Sequence, residues 1–227
     1  MNEGKPFSTE LRDYYWKAIK EKKWDQVILV VSLHPELIPD RNENHQDQGT
    51  GFHTACNQDK LDVVKAMVKM DESILLIKDK CGETGFHDAC NGGSIKTIEF
   101  LLEEYSTSIS SVKSKEGDSG FHLACYFGHA EVVKLLASHS RQCISEKNLN
   151  GRTGFDFACE EGKKEIVQFL LEEFNEEIKT GEDGMTGLHW ACKKAEGIES
   201  IETIVKMQPY LLFAKDNVCF FSSYSCV

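Results

Sequence analysis

The sequence lacks several features that assign a chain quickly to a class of protein. No stretch approaches the roughly 20 apolar residues needed to span a membrane, and residues 1–12 are polar, without the apolar core of a signal peptide. Basic residues are in the minority, because 26 Lys and Arg stand against 37 Asp and Glu, giving a formal net charge of −11. Nucleic acids and anionic membranes are bound by basic surfaces, so the charge argues against both as partners.

Motifs of catalysis are also missing. The sequence contains no GxSxG motif, no HExxH motif and no Gly-rich loop of the Walker type. Asn91-Gly92-Gly93 is predicted to turn between two helices and not to hold a phosphate. Paired acids such as Glu103-Glu104 and Glu172-Glu173 fall at helix ends, where solvated surface is the simplest interpretation. We therefore predict no enzymatic activity, no cofactor and no small-molecule substrate.

What the sequence does contain is a seven-residue signature that occurs five times. The copies begin at residues 50, 84, 119, 153 and 186, so the steps between them are 34, 35, 34 and 33. They read TGFHTAC, TGFHDAC, SGFHLAC, TGFDFAC and TGLHWAC. Self-similarity at a period of this length predicts a row of stacked units instead of one globule.

Each unit is predicted to contain two short helices. The Thr or Ser that opens the signature is placed to cap helix A, and helix B has apolar residues at helical spacing. The units are predicted at about 45–78, 79–113, 114–147, 148–180 and 181–216. Residues 1–44 are predicted to be a capping pair of helices, 10–20 and 24–33, with Ser8 or Thr9 as the first cap. An enlarged turn is expected at 195–200 in the fifth unit.

The signature and the plan of the units resemble the ankyrin repeat, whose signature reads Thr-Pro-Leu-His-x-Ala-Ala. The resemblance covers roughly residues 45–216 and implies an all-α solenoid of stacked antiparallel helix pairs with hairpin fingers. Two departures stand out: Gly replaces Pro at positions 51, 85, 120, 154 and 187, and Phe replaces Leu in four copies. Because Gly leaves the unfolded chain more freedom than Pro does, we expect a cost of about 0.5–1 kcal/mol per site.

The Cys and the His of the signature bear on the cellular compartment and on metal binding. One Cys per unit beside an Ala is not a disulfide framework, so we interpret these five as reduced core thiols, which favours the cytoplasm, with the nucleus as an alternative. The signature His precedes the Cys by one helical turn, and such a pair could reach a metal. Asp156 replaces the His in the fourth copy, however, so we predict no bound metal. The resemblance implies a structural His that hydrogen-bonds the Thr and the neighbouring loop.

In the family that the sequence resembles, partners bind the fingers and the concave face of the A helices. Mapped onto this sequence, the candidate partner-binding residues are Lys80, Glu83, Asp88, Asn91, Lys115, Glu116, Asp118, Leu123, Tyr126, Phe127, Arg152, Phe157, Glu160, Trp190 and Lys193. The aromatic members of this set, together with Leu123, come from three successive units and are of the type that anchors protein interfaces. Packing between neighbouring units is the alternative role for them.

The resemblance implies a non-enzymatic scaffold that binds a protein partner, as yet unidentified, along this face. An alternative follows from the C-terminal sequence. Residues 211–216 resemble the segment that precedes the next unit earlier in the chain, but no sixth signature follows them. Residues 217–227 are therefore expected to be a truncated unit or a tail, and the chain would then be a fragment or isoform of a larger ankyrin-containing channel or enzyme. Ser225-Cys226-Val227 fits the loose pattern of a C-terminal PDZ ligand, which arises often by chance.

Overall fold

A computed structural model describes residues 9–42, 48–175, 178 and 185–213 of the chain. Every regular element in these residues is a helix, which confirms the all-α prediction. An isolated antiparallel bridge joins Arg41 to Thr50. No helix within the described ranges has the length and apolar character that crossing a membrane requires. The predictions for Ser8, for the tail 217–227 and for the PDZ-type motif lie outside the described residues.

The chain divides into two compact units, Met1–Val112 (unit 1) and Lys113–Val227 (unit 2). The α-helices of unit 1 are Thr9–Lys20 (α1), Trp24–Leu33 (α2), Gly51–Asn57 (α3), Leu61–Met70 (α4), Gly85–Gly92 (α5) and Ile95–Ile109 (α6). Those of unit 2 are Gly120–Phe127 (α7), Ala130–His139 (α8), Gln142–Ser145 (α9), Gly154–Glu160 (α10), Lys164–Glu173 (α11), Gly187–Ala191 (α12) and Ile198–Met207 (α13). Short 3-10 helices span Pro35–Leu37, Glu72–Leu76, Ala195–Gly197 and Pro209–Phe213.

Successive helix pairs stack within each unit. In unit 1, α3 packs between α1 and α5, and α4 packs between α2 and α6. In unit 2, α10 packs between α7 and α12, and α11 packs between α8 and α13. Helices as short as α3 (seven residues) and α4 (ten residues) are marginal alone, so the neighbouring pair supplies the surface that stabilises each one. A helix pair for each of the five copies of the signature is the arrangement that the period predicts.

The predicted element boundaries hold closely in the cap and less well in the fifth repeat. The cap helices are Thr9–Lys20, against a predicted 10–20, and Trp24–Leu33, as predicted. In the fifth repeat, Ala195–Gly197 form a 3-10 turn, but Ile198–Ser200 are the first residues of α13. The prediction of one enlarged turn over 195–200 is therefore wrong in its second half. Of these three residues Ser200 is fully buried, whereas Ile198 is 65% exposed.

The Gly that replaces Pro is explained by the Phe that replaces Leu in the preceding repeat. A Cβ atom on Gly154 would lie 2.7 Å from the Phe121 ring and 3.0 Å from Cys125 Sγ. The same close approach occurs in three other copies, between Gly51 and Tyr15, Gly85 and Phe52, and Gly187 and Phe155. At these four positions an aromatic ring fills the space that a Pro ring would need. The two departures from the ankyrin signature are therefore one packing solution.

Four of the five signature cysteines are buried and reduced, namely Cys56, Cys90, Cys125 and Cys159. Burial raises the pKa of three of these thiols, Cys56, Cys125 and Cys159, well above its usual value. The prediction of a reduced thiol is wrong at Cys192, which is disulfide-bonded. Cys192 is the half-buried C-cap residue of α12, so its sulfur is not enclosed as the other four are.

Candidate partner-binding site

The signature histidines fix the start of each A helix. In every copy but the fourth, the backbone N–H of the capping Thr or Ser donates to His Nδ1 at 3.1–3.3 Å. Since Nδ1 accepts, Nε2 carries the proton, and it donates onward from His53 and His122 to the carbonyl oxygens of Glu83 and Arg152 at 3.2 and 3.1 Å. The structural role predicted for this His is the one observed.

Asp156 performs the capping task in the fourth copy. Its Oδ2 atom accepts from the Thr153 backbone N–H at 2.8 Å and from the Thr153 hydroxyl at 2.9 Å. Burial lowers the pKa of His53 and His122, which keeps both rings neutral in the folded chain. No three His, Cys, Asp or Glu side chains of the described residues are grouped so that they could hold a metal ion.

Three positions of the repeat build the candidate site. The leading position precedes the signature and holds Gly49, Glu83, Asp118, Arg152 and Met185 in turn. The central position is the fifth residue of the signature and holds Thr54, Asp88, Leu123, Phe157 and Trp190. The trailing position follows the signature and holds Asn57, Asn91, Tyr126, Glu160 and Lys193. Of these fifteen residues only Glu160 is buried, so the positions that vary in sequence are also those that solvent reaches.

In unit 2 the leading residue Arg152 lies between two central residues. Its guanidinium carbon is 3.9 Å from the centre of the Phe157 ring and 4.0 Å from that of Trp190 in the next repeat. The guanidinium also donates to the carboxylate of Glu160, and the two side chains are only 16% and 11% exposed. Cation–π contacts contribute about 0.5–2 kcal/mol each. Arg152 therefore joins α10 to α12 by covering one face of the Phe157 ring and one face of the Trp190 ring. Contact of this kind between neighbouring repeats is what the packing alternative expects.

The rings beside this stack are exposed. Tyr126 and Phe127 are 37% and 43% exposed, and Leu123 on the same helix is half-buried. The Tyr126 ring meets Phe157 edge to face at 5.8 Å and Phe127 at 5.0 Å. The predicted aromatic cluster is thus contiguous from Tyr126 to Phe157, and Arg152 extends it to Trp190.

Two lysines lie over the outer rings of the cluster. Lys193 Nζ is 3.7 Å from the centre of the Trp190 ring. Lys194 Nζ is 5.9 Å from the Tyr126 ring and pairs with Glu161, a hydrogen bond that raises the pKa of Lys194. Both lysines are exposed. The surface therefore presents aromatic rings whose positions are fixed by cations.

Unit 1 has a cleft of about 260 Å³ at the same three positions of the repeat. Its leading, central and trailing residues are Gly49, Thr54, Asp88, Asn57 and Asn91. In unit 2 the corresponding residues are Arg152, Phe157, Trp190, Glu160 and Lys193. The cleft is completed by Trp16, Asn42, His53, Gln58 and Asp79. At the leading position unit 1 therefore has Gly49 where unit 2 has Arg152.

Comparison with protein families agrees with this geometry. A model of ankyrin repeats, three copies, matches residues 105–180 and 121–211. Residues 105–211 therefore belong to the ankyrin-repeat family. A search of curated proteins finds no match. Both matched ranges begin after residue 104, and the two ankyrin repeats of unit 1 carry the same signature, cap and helix pair.

The remaining predicted residues lie in the ankyrin fingers. Lys80, Lys115 and Glu116 are exposed, and Glu83 and Asp118 are half-buried. In unit 2 neighbouring fingers are hydrogen-bonded, because the Leu149 backbone N–H donates to the Glu116 carbonyl at 3.0 Å and Asn148 Nδ2 donates to Asp118 Oδ1 at 2.8 Å. The backbone carbonyl of Glu116 and the carboxylate of Asp118 therefore help to hold the fingers together, while the Glu116 side chain is exposed.

The candidate set omitted several residues that the structure brings to these sites. Lys194 and Glu161 belong to the rim in unit 2, and Trp16 and Asp79 line the cleft in unit 1. A signal existed for the Arg152 stack: only the fourth repeat has an Arg at its leading position, and only the fourth and fifth have aromatic central residues. No comparable signal existed for Trp16, since α1 lacks the signature.

Proposed function

We propose that this protein is a non-enzymatic interaction module that binds a protein partner through the aromatic and cationic surface of unit 2. Ankyrin repeats generally mediate protein–protein interaction, and members of the family are typically not enzymes. The observation that carries the proposal is the pair of exposed rings, Tyr126 and Phe127, beside the Arg152 stack.

Preorganisation supports a role in binding. A ring that is already fixed by its neighbours loses little conformational freedom when a partner covers it, so more of the contact energy is available for affinity. Tyr126 is held against Phe157 and Phe127, and Trp190 is held between Arg152 and Lys193. Tyr, Trp and Arg are also the residues most often found at the energetic centre of interfaces.

The chemistry of the buried groups supports the absence of catalysis as part of the proposal. Described buried histidines cap helices, and the thiols of Cys56, Cys125 and Cys159 have a raised pKa that keeps them protonated and unreactive. These groups are engaged in holding the repeats together, which leaves recognition to the variable leading, central and trailing positions.

Affinity purification with matched variants tests the proposal. The wild-type chain, Tyr126→Ala and Tyr210→Ala are used as baits in the same cells, with bound proteins quantified by mass spectrometry. Tyr210 is 65% exposed in the last 3-10 helix, so its variant removes an equal ring away from the proposed surface. We expect a partner that is retained by wild type and Tyr210→Ala and lost by Tyr126→Ala, with the three melting temperatures close together. Equal retention by all three baits would contradict the proposal.

A further inference from the structure

We propose that the partner covers the aromatic and cationic surface of unit 2 with an acidic segment. This segment places an aliphatic or aromatic side chain on Tyr126 and Phe127, and aspartate or glutamate side chains on Lys163 and Lys193. The inference rests on the proposed function and deepens it, because it states the chemistry of the polypeptide that the exposed rings receive.

The apolar part of the surface is a pair of rings at the C-terminal end of α7. Tyr126 and Phe127 are 37% and 43% exposed, and their ring centres are 5.0 Å apart. Leu123, one helical turn earlier, is half-buried. An apolar side chain of the partner that covers this pair removes both rings from water, and burial of apolar surface is the main favourable contribution to most protein association.

Two lysines near these rings make no ion pair with any residue that the structure describes. Lys193 is exposed, and its amine lies 3.7 Å from the centre of the Trp190 ring. Lys163 lies against the residue that follows Phe127, since a Cβ atom on Gly128 would be 2.9 Å from Lys163 Cδ. A lysine that packs its aliphatic stem in this way keeps its ammonium group in water. Both charges are therefore available to a partner.

The glutamates of the same surface are mostly paired within it. The turns from helix A to helix B in the last three repeats, with the final residue of each A helix, contain three lysines and three glutamates. Glu160 pairs with Arg152, and Glu161 pairs with Lys194. The charges that remain are those of Lys163, Lys193 and Glu196.

The surface is thus locally positive, although the whole chain has a formal net charge of −11. Complementary charge steers association and fixes the register of a complex, so the segment that suits this surface is negative. Phosphates of an anionic membrane also carry negative charge, but a membrane repels a chain whose net charge is strongly negative. An acidic polypeptide is therefore the occupant that the charges favour.

One short segment can meet the rings and Lys193 together. The Tyr126 ring contacts Phe157 at 5.8 Å, and the Arg152 guanidinium joins Phe157 to Trp190 at 3.9 and 4.0 Å. Trp190 in turn contacts the Lys193 amine. An extended chain advances about 3.3–3.6 Å per residue, so about six residues span this row of contacts. A linear segment that combines an apolar residue with acidic residues nearby fits the surface.

A selection with defined peptides tests the inference. A displayed library of random linear peptides is selected on the full chain at low salt, with counter-selection on the Tyr126→Ala chain, so that the enriched peptides depend on this ring. Each enriched peptide is synthesised with an amidated C-terminus in two forms. One form keeps its aspartates and glutamates, and the other has asparagine and glutamine in their place.

Affinities are measured by calorimetry on wild type, Lys163→Glu, Lys193→Glu and Lys65→Glu, and the melting temperature of each chain is recorded. Lys65→Glu is the matched control. Lys65 is also exposed and also lies over an aromatic ring, that of Phe100 at 5.1 Å, but it belongs to unit 1.

We expect the enriched peptides to be rich in aspartate and glutamate next to an apolar residue. Lys193→Glu and Lys163→Glu should each weaken binding about fivefold or more, because an exposed ion pair alone contributes about twofold to fivefold and the change to Glu adds repulsion. The amide form should bind more weakly than the acidic form, and added salt should weaken only the acidic form. Lys65→Glu should bind like wild type.

Three results would each overturn the inference: acidic and amide forms of equal affinity, equal losses for Lys193→Glu and Lys65→Glu, or binding of the chain to phosphatidylserine vesicles that Lys193→Glu abolishes. Enriched peptides that depend on Tyr126 but are neutral or basic would also overturn it, and the proposed function would then stand. A selection that yields no peptide dependent on Tyr126 would contradict both.

Discussion

Unit 1 and unit 2 are built from the same repeat but differ at the position between two successive A helices. In unit 2 the position contains Arg152, which stacks on Phe157 and Trp190 and pairs with Glu160. In unit 1 the corresponding position contains Gly49, and a polar cleft with two carboxylates remains. A side chain at the leading position thus joins two successive A helices in unit 2, whereas unit 1 has no side chain at the corresponding position.

What the units share is the packing beneath this position. Gly85 approaches Phe52 in unit 1 in the same way that Gly154 approaches Phe121 in unit 2. The repeats can therefore differ on their variable surface without any change in how one helix pair contacts the next. The following predictions test first the filled position, then the shared packing, then the caps, and last the rim.

The largest effect is expected from Arg152→Ala. The substitution leaves the Glu160 carboxylate, 11% exposed, without its partner and uncovers two ring faces, so the free energy of unfolding should fall by about 3 kcal/mol. Adding Glu160→Gln should recover part of the loss, because the buried charge is then removed. Urea unfolding of both variants measures this, and hydrogen exchange should show the loosening in α10 and α12.

Lys134→Ala is the matched control for Arg152→Ala. Lys134 also pairs with a glutamate of the neighbouring repeat, Glu165, and also lies over an aromatic ring, Phe169 at 6.0 Å, but its side chain is 37% exposed. Exposed ion pairs contribute little, so we expect a loss below about 1 kcal/mol. Equal losses for the two variants would show that the buried Arg152 contacts stabilise the fold no more than the exposed Lys134 contacts do.

Gly154→Ala and Gly85→Ala should each destabilise the chain by about 1–3 kcal/mol, because the added Cβ overlaps an aromatic ring of the preceding repeat. The loss should be similar in the two units if they share this packing. Combining Gly154→Ala with Phe121→Leu should cost less than the sum of the two single changes, and the difference is the coupling energy of the pair. Strict additivity in chemical denaturation would argue against the contact.

Stability should also depend on pH through the capping histidines. Burial lowers the pKa of His53 in unit 1 and of His122 in unit 2 below the usual 6.5. The unfolded chain therefore binds protons that the folded chain does not, so stability is lost as pH falls below about 6.5. His122→Asp, which copies Asp156 of the fourth repeat, should flatten this dependence in unit 2. An unchanged pH profile would contradict the assignment.

The smallest effect on stability is expected from Lys193→Ala. Lys193 is exposed and its contact with the Trp190 ring, at 3.7 Å, is on the solvent side. Its removal should change the free energy of unfolding by less than about 1 kcal/mol and should weaken partner binding more than it weakens the fold. A melting temperature that falls as far as that of Arg152→Ala would assign Lys193 to the packing and not to the rim.

Much of the fold could be predicted from the sequence because the repeat period fixes it. The cap helix Trp24–Leu33 and the Thr–His caps follow from local spacing and hydrogen-bonding rules. The start of α13 could not be predicted in this way, since nothing in the inserted residues shows that Ser200 is buried. The disulfide at Cys192 was missed because the residue shares its position in the signature with four enclosed thiols.

The sequence identified residues of the candidate site but not their arrangement in space. The sequence showed that Phe157, Trp190 and Arg152 are variable residues beside the A helices. It did not show that the guanidinium lies between the two rings, because that requires the offset between consecutive repeats in space. The cleft of unit 1 is lined by Gly49 and by Trp16 from the cap, and neither residue belongs to the signature.

The most direct test of the stack in unit 2 is the double-mutant cycle of Arg152→Ala and Trp190→Ala, measured by chemical denaturation. The Arg152 guanidinium carbon lies 4.0 Å from the centre of the Trp190 ring, so we predict a coupling energy of about 0.5–2 kcal/mol between the two side chains. A coupling energy of zero would contradict the stack.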